Sequence, residues 1–241
     1  MVAEAHIIAW NRQDTIHFTI KHYQQFCERV VIYDNHSTDL TRDIALELGA
    51  DVRLFGKSGI LDDQAYLDVK NNCWKSSQAD WVIVVDDDEI LYHPDLEFHL
   101  KLANAMGSTI FRPQGFNIHS DDFPRETFTE ILTGEKNENY SKLCIFNPKE
   151  VKEIRYNFGC HAARPVGNLV YDKAKLILLH YRNIGGVERL MARHKEYEKR
   201  LSEMNRRLNL GHHYTESEQS KREQWEELSK RSGHLFEAGL L

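Results

Sequence analysis

The stretch Trp81-Val82-Ile83-Val84-Val85-Asp86-Asp87-Asp88-Glu89 decides how the rest of this chain reads. Five β-branched or aromatic residues closed by charge are the pattern of a strand buried on both faces, as in a parallel sheet. The carboxylates fall where such a strand leaves the sheet at its carboxyl end. Side chains alternate along a strand, so Asp86 and Asp88 are expected on one face and Asp87 on the other. Two like charges on one face repel unless a cation lies between them, and a hard divalent ion with oxygen ligands answers that need. The plainer alternative is a solvated acidic turn ahead of a helix that Pro94 starts.

Upstream, strands and helices alternate. Ala5 to Trp10 is a short apolar strand stopping at Asn11; Asp14 is placed to cap a helix carrying Ile16, Ile20, Tyr23 and Phe26 at helical spacing. Val30 to Tyr33 is a second strand, broken by the turn formers Asp34-Asn35-His36-Ser37-Thr38-Asp39. A helix over Thr41 to Leu48 with Gly49 as its stop, a strand over Val52 to Phe55 and a helix from Asp62 to Ser76 complete the run. Such βαβ units predict an α/β fold with a mostly parallel sheet flanked by helices. Ligands of these sheets bind beyond the carboxyl ends of the strands. Three loops meet at that edge: Asn11 and Arg12, then Asp34 and Asn35, then Asp86 to Glu89. No Gly-x-Gly-x-x-Gly follows the first strand and no P-loop occurs, so a nucleotide diphosphate here would need its charge offset by a metal.

With those residues in view, the chain resembles the family 2 glycosyltransferases of the GT-A fold, the small bacterial and viral members above all. Asn11 and Arg12, the run Tyr33 to Thr41, and Val85 to Glu89 carry the likeness, the last resembling that fold's D-x-D signature about fifty residues after the D-N-x-S-T-D turn. The likeness covers residues 5 to 100 well and 140 to 182 more loosely. It implies transfer of a sugar from a nucleotide diphosphate sugar, UDP- or GDP-linked, to a hydroxyl of a glycan or lipid-linked acceptor, with inversion. It implies that Asn11, Arg12, Asp34, Asn35, Asp86 and Asp87 face the nucleotide, Asp34 or Asn35 its base. It also implies that Asp86 and Asp88 hold Mn2+ or Mg2+, with His161 or His180 as a further ligand. Each residue has an ordinary alternative: Ser37, Thr38 and Asp39 are good helix caps, Asn11 can tie down a loop, and either histidine can be a hydrogen-bonded structural one.

Past residue 105 the pattern loosens. Thr109 to Arg112, Leu143 to Phe146 and Leu176 to Leu179 read as strands, the last ending ahead of His180-Tyr181-Arg182. Asp121 and Asp122, in a polar loop, are the candidates for the base that accepts the acceptor's proton, with Glu130 and Glu135 behind them. Lys142, Arg164 and Arg182 are candidates to offset diphosphate charge. From Val187 the chain is helical, with Leu190, His194, Tyr197, Leu201, Met204 and Leu208 forming a narrow seam. That seam is expected on the domain's own core, with a homodimer contact as the alternative. Residues 188 to 208 hold seven Lys or Arg against four Glu, a net +3 that also suits peripheral contact with an anionic membrane. Thr215-x-x-Glu218 reads as a capping box, and His212 and His213 as a polar loop. The expected organisation is a GT-A domain over 1–186, its nucleotide-sugar half ending near 105 and its acceptor half near 186, with helices over 187–241 packed on it.

Size and composition agree. The 241 residues, 41% hydrophobic with net charge −6, are those of an ordinary globular protein with one core. The negative balance and the lack of a basic stripe disfavour nucleic acid as a partner. No apolar run approaches the roughly 20 residues of a membrane span and no signal pattern opens the chain, which points to the cytoplasm. Four scattered cysteines without a C-x-x-C pair read as reduced and structural. Two rival functions share these features. A nucleotidyltransferase would carry a glycine-rich loop near its start, and residues 1 to 20 contain no glycine; a non-catalytic nucleotide-sugar-binding module would keep the fold without turnover.

Overall fold

In the computed structural model, which describes residues 1–235, the chain opens with β1 (Ala3–Ala9), buried throughout except for half-buried Glu4. Then α1 (Ile16–Gln24) leads to β2 (Arg29–Asp34), α2 (Thr41–Glu47) to β3 (Asp51–Leu54), and α3 (Asp63–Asn72) to β4 (Trp81–Asp86). Next come β5 (Glu89–Tyr92), α4 (Leu96–Met106), β6 (Gln114–Ser120), β7 (Thr133–Lys136), β8 (Ile145–Phe146), β9 (Val151–Glu153), β10 (Val166–Gly167) and β11 (Ile177–Ile184). The described chain closes with α5 (Gly186–Arg200), α6 (Glu203–Arg207), α7 (Glu218–Arg231) and β12 (Gly233–His234).

The first sheet has the order β3-β2-β1-β4-β8, parallel but for β8. Strands are added outward from β1 to β3, and the chain then returns to the other side of β1 for β4. That reversal is a topological switch point, where a crevice opens beyond the carboxyl ends of the strands. The register fixes what lies there: Ile8 faces Asp86 across one side of β1 and Ala9 faces Asp34 across the other. A second sheet, β12-β7-β6-β11-β5, stands behind, and β9 pairs with β10 as a separate ribbon.

Alternation along the strands splits the core in two. Ala3, Ala5, Ile7 and Ala9 with Ile83 and Val85 pack against Ile16, Ile20 and Tyr23 of α1 and against the second sheet. Ile8, Val82 and Val84 face the other way, onto Trp74, Ile110, Phe146 and Tyr156. A strand apolar on both faces is therefore clamped on both faces. Among the described residues, no helix is long and apolar enough to cross a membrane.

Several local expectations are corrected. Thr109 to Arg112 forms no strand; Ile110 makes only isolated bridges, to Phe146 and Tyr171. The last core strand runs through His180 to Ile184 rather than stopping before it. Thr15, not Asp14, precedes α1, and Asp14 accepts from Arg189 instead. Ser217 caps α7 by accepting from the Ser220 amide, while Thr215 donates to the His212 carbonyl. The seam breaks at Leu201, after which Leu208 is exposed. Its first half does pack inward: α5 lies against β11, and α7 against α5 and β7.

Candidate active site

A cavity of about 440 Å³ opens at the mouth of β1 and β4. Its floor is the end of β4 and the turn after it. β4 stops at Asp86, so strand alternation governs Asp86 alone, and Asp87 and Asp88 are aimed by the turn. The turn is tightly held: the Asp87 amide donates to the Ile8 carbonyl at 3.0 Å and the Tyr181 amide to the Asp88 carbonyl at 2.7 Å. Thr19 Oγ1 donates to the Asp87 carbonyl at 2.5 Å.

The carboxylates of the turn are paired with a shared set of cations. Lys70 Nζ lies 2.7 Å from Asp86, and Lys142 Nζ lies 3.4 Å from the same carboxylate while also pairing with fully buried Glu89. Arg12 pairs through Nε with Asp87 and reaches Asp88 at 3.4 Å. Burial opposes the charge on Asp86, but Lys70 and Lys142 overcome it and hold the carboxyl well below its ordinary range. Burial also opposes the charge on Asp88, where His180 and Arg12 outweigh it and lower the pKa. His180 Nε2 stands 3.5 Å from Asp88 Oδ1. Burial depresses the His180 pKa against the pull of Asp88, keeping the imidazole neutral near pH 7, the form that binds metals.

The structure brings Arg12, Asp86, Asp87, Asp88, His161 and His180 to this one cavity. His161 lies on its wall with Nδ1 on the Asn139 carbonyl at 2.7 Å, and Tyr140 stacks on His180 at a centroid distance of 4.2 Å. Asn11 ties the first loop to the second, its amide donating to Ser37 Oγ at 2.9 Å and its Oδ1 accepting from the Thr38 amide at 2.8 Å. Asp34 is fully buried behind the wall; Oδ1 accepts from the Ser37 amide at 2.8 Å and Oδ2 has no hydrogen-bond partner among the described residues. Asn35 donates to the Phe55 carbonyl and accepts from Tyr66 and Arg200. Gly56, at φ +66°, is needed there, since a Cβ would fall 2.7 Å from Asn35 Nδ2. Asp121 and Asp122 are exposed beyond β6 and do not line the cavity. Glu130 instead caps a short 3₁₀ turn, and Glu135 pairs with Arg231.

Sequence reasoning missed Lys70, Tyr140 and Arg193 as wall residues and placed Tyr197 in a core seam. Lys70 is the one buried residue of α3 and falls three and four residues after Leu67 and Tyr66, on the face that packs inward, which was a readable signal. His194 and Tyr197 made that seam more polar than a core contact needs, and it proves to be cavity wall. Arg200, from the same helix, lies over the Trp10 ring at 3.4 Å.

The donor set fits a divalent ion that takes most of its ligands from elsewhere. Among the described residues, no three His, Cys, Asp or Glu converge as a ready cage. Asp88 and His180 nevertheless offer one carboxylate and one neutral imidazole side by side, and His180 Nδ1 is buried without a partner. An ion bound through one or two protein ligands plus phosphate oxygens and water needs no more. Asp86, covered by two ammonium groups, is the less available oxygen donor.

The model of glycosyl transferase family 2 matches residues 5–164. No curated protein sequence matches the chain. Among solved structures, residues 1–349 of S. aureus TarS are 15% identical over 81% of this chain and 65% of that one, with a TM-score of 0.48. Glucosyl-3-phosphoglycerate synthase from Mycobacterium tuberculosis, in complex with Mn2+, UDP and glucosyl-3-phosphoglycerate, is 19% identical over 47% of this chain and 44% of that one, with a TM-score of 0.34. Mannosyl-3-phosphoglycerate synthase from Rubrobacter xylanophilus gives 17%, 48%, 40% and 0.34. The chain thus spans less than two thirds of the length of each. With the family model covering most of the chain, and a mostly parallel sheet flanked by helices whose switch point holds the acidic turn, the chain belongs to glycosyl transferase family 2 and has the GT-A fold.

Proposed function

We propose that the chain transfers a sugar from a nucleoside diphosphate sugar to an acceptor hydroxyl, using a divalent cation, Mn2+ or Mg2+, held at Asp88 and His180. The observation that carries this reading is the Asp88–His180 pair at the switch point, set among cations already paired with other carboxylates. When bound, the ion offsets the charge that develops on the departing nucleoside diphosphate. The chain's own residues prepare that place. Arg12 locks Asp87 and steadies Asp88, and Lys70 with Lys142 keeps Asp86 ionised as an acceptor for a donor hydroxyl. Asp34, fully buried with Oδ1 on the Ser37 amide, shapes the second loop from behind the cavity wall rather than meeting the base directly. The acceptor then enters from the side built by Tyr140, His161 and α5. Family membership favours transfer over the nucleotidyltransferase alternative.

The test is thermal unfolding with UDP or GDP, with and without Mn2+. The wild type should be stabilised by nucleotide only when the metal is present, and Asp88→Asn should lose that dependence while keeping its fold. Undiminished manganese-dependent binding by the variant would overturn the assignment. Product NMR with a competent acceptor reads inversion, the outcome the family resemblance implies.

A further inference from the structure

The wall contributed by β11 and the C-terminal helices carries a cation, Arg182, that no carboxylate neutralises among the described residues. Arg182 is half-buried on the cavity and uses one donor, from Nη2 to His194 Nε2 at 2.7 Å; among the described residues it has no ion pair. Lys221 on α7 is 5% exposed and lies behind that wall, off the cavity lining, with its ammonium donating to the Tyr214 carbonyl at 2.9 Å. A buried cation normally faces a counter-charge, because leaving it bare costs several kcal/mol.

The two imidazoles between them are also incomplete. His194 Nε2 accepts from Arg182, so the proton of the neutral ring sits on Nδ1, which is buried with no partner. His213 Nε2 is buried and unpartnered as well, and the two ring centroids are 5.8 Å apart. Both rings line the cavity. Burial first, and the charge of Arg182 second, push His194 down to about 2 and His213 down to about 3, as expected in a positive field without an anion. Of the cavity's carboxylates, Asp86, Asp87 and Asp88 are engaged by Lys70, Lys142, Arg12 and His180, and Asp63 bonds to Asn205. Donors without acceptors call for a ligand that only accepts. The spare N–H groups of Arg182 and the His194 Nδ1–H outnumber what the two oxygens of a carboxylate satisfy, and suit a tetrahedral oxyanion.

We propose that Arg182, His194 and His213 form a subsite for a phosphate-class oxyanion carried by the acceptor, so that this transferase acts on a phosphorylated or phosphodiester-linked substrate. The inference rests on the donor lying at Asp88 and His180, since the donor's diphosphate is the other source of the same chemistry.

The test uses the full chain and glycerol 3-phosphate as the probe, titrated calorimetrically with and without saturating UDP and Mn2+. Binding should survive saturation with UDP. Arg182→Gln should weaken it about tenfold or more, the scale of one charge-assisted hydrogen bond, and His213→Leu about threefold or more, the scale of a neutral one, with UDP affinity unchanged. Circular dichroism and thermal unfolding check the fold; if Arg182→Gln unfolds, His213→Leu carries the comparison. Displacement of glycerol 3-phosphate by UDP would assign these cations to the donor and overturn the proposal. Equal binding by wild type and variants, or none up to about 10 mM, would overturn it too. Glycerol 3-phosphate binding in a chain that fails to bind UDP would support the subsite and refute the donor reading instead.

Discussion

Lys142 shows how charge is balanced under the site. Its ammonium is buried between Glu89, which has no exposed surface, and Asp86, whose own amide donates to Glu89 Oε2 at 3.0 Å. Removing one member of a buried pair strands the other's charge, which costs about 3–5 kcal/mol, far more than the net worth of the pair. Lys142→Met should therefore lower unfolding stability by that amount in urea titrations, and Glu89→Gln in the same chain should restore part of it. A Lys142→Met variant within about 0.5 kcal/mol of wild type would show that the pair is not what balances Glu89. The acidic turn itself was legible, because an apolar run ending in carboxylates marks a strand's exit. Its counter-ions were not: Lys70 and Lys142 lie 16 and 56 residues away from Asp86 in sequence, and only the fold brings them to it.

At the scale of elements, the βαβ run was readable because each strand is clamped on both faces and reads as an unbroken apolar stretch. The later half was not, since β8 and β10 have two residues each and Ile110 contributes only bridges, too short for any periodicity. The candidate base falls in that looser half. Asp121 and Asp122 follow β6 and are exposed outside the cavity. We expect Asp121→Asn and Asp122→Asn to transfer at near wild-type rates; a loss of about 100-fold in turnover with nucleotide affinity intact would restore them as the base. On α5, His194 makes a separate prediction. Burial first, then Arg182, holds its folded pKa near 2, below the roughly 6.5 of an unfolded histidine. The unfolded chain therefore takes up the proton first as pH falls. Stability from this residue is complete above about pH 7 and is lost through 6.5 and below, about 1.4 kcal/mol by pH 5.5. Urea midpoints at pH 7.5 and 5.5 should move less in His194→Gln than in wild type; equal movement would show that His194 does not carry the dependence.

For the whole molecule, the question is whether residues 1–186 make a domain to which the C-terminal helices are merely attached. The contacts argue against it. The Leu61 amide donates to the Arg200 carbonyl at 2.7 Å and the Ser202 amide to the Leu61 carbonyl at 2.9 Å, so the chain after α5 is stitched to the segment before α3. Asn205 and Asp63 exchange a pair of hydrogen bonds at 3.0 and 2.9 Å. Arg200 reaches Asn35 and covers Trp10, and Arg193, His194 and Tyr197 complete the cavity wall. The site thus draws on β1 at one end of the chain and on α5 near the other, and neither half encloses it alone. A fragment ending at residue 186 would expose the Leu61 backbone and the inner faces of Trp10 and Tyr66. It should lose cooperative unfolding and bind UDP with Mn2+ at least about 100-fold more weakly than the full chain, a deficit of about 2.7 kcal/mol. Supplying residues 187–235 as part of the same chain should restore both properties together, because one set of contacts serves both. A soluble 1–186 fragment that unfolds cooperatively and binds UDP like the full chain would show that α5 covers a site already complete without it.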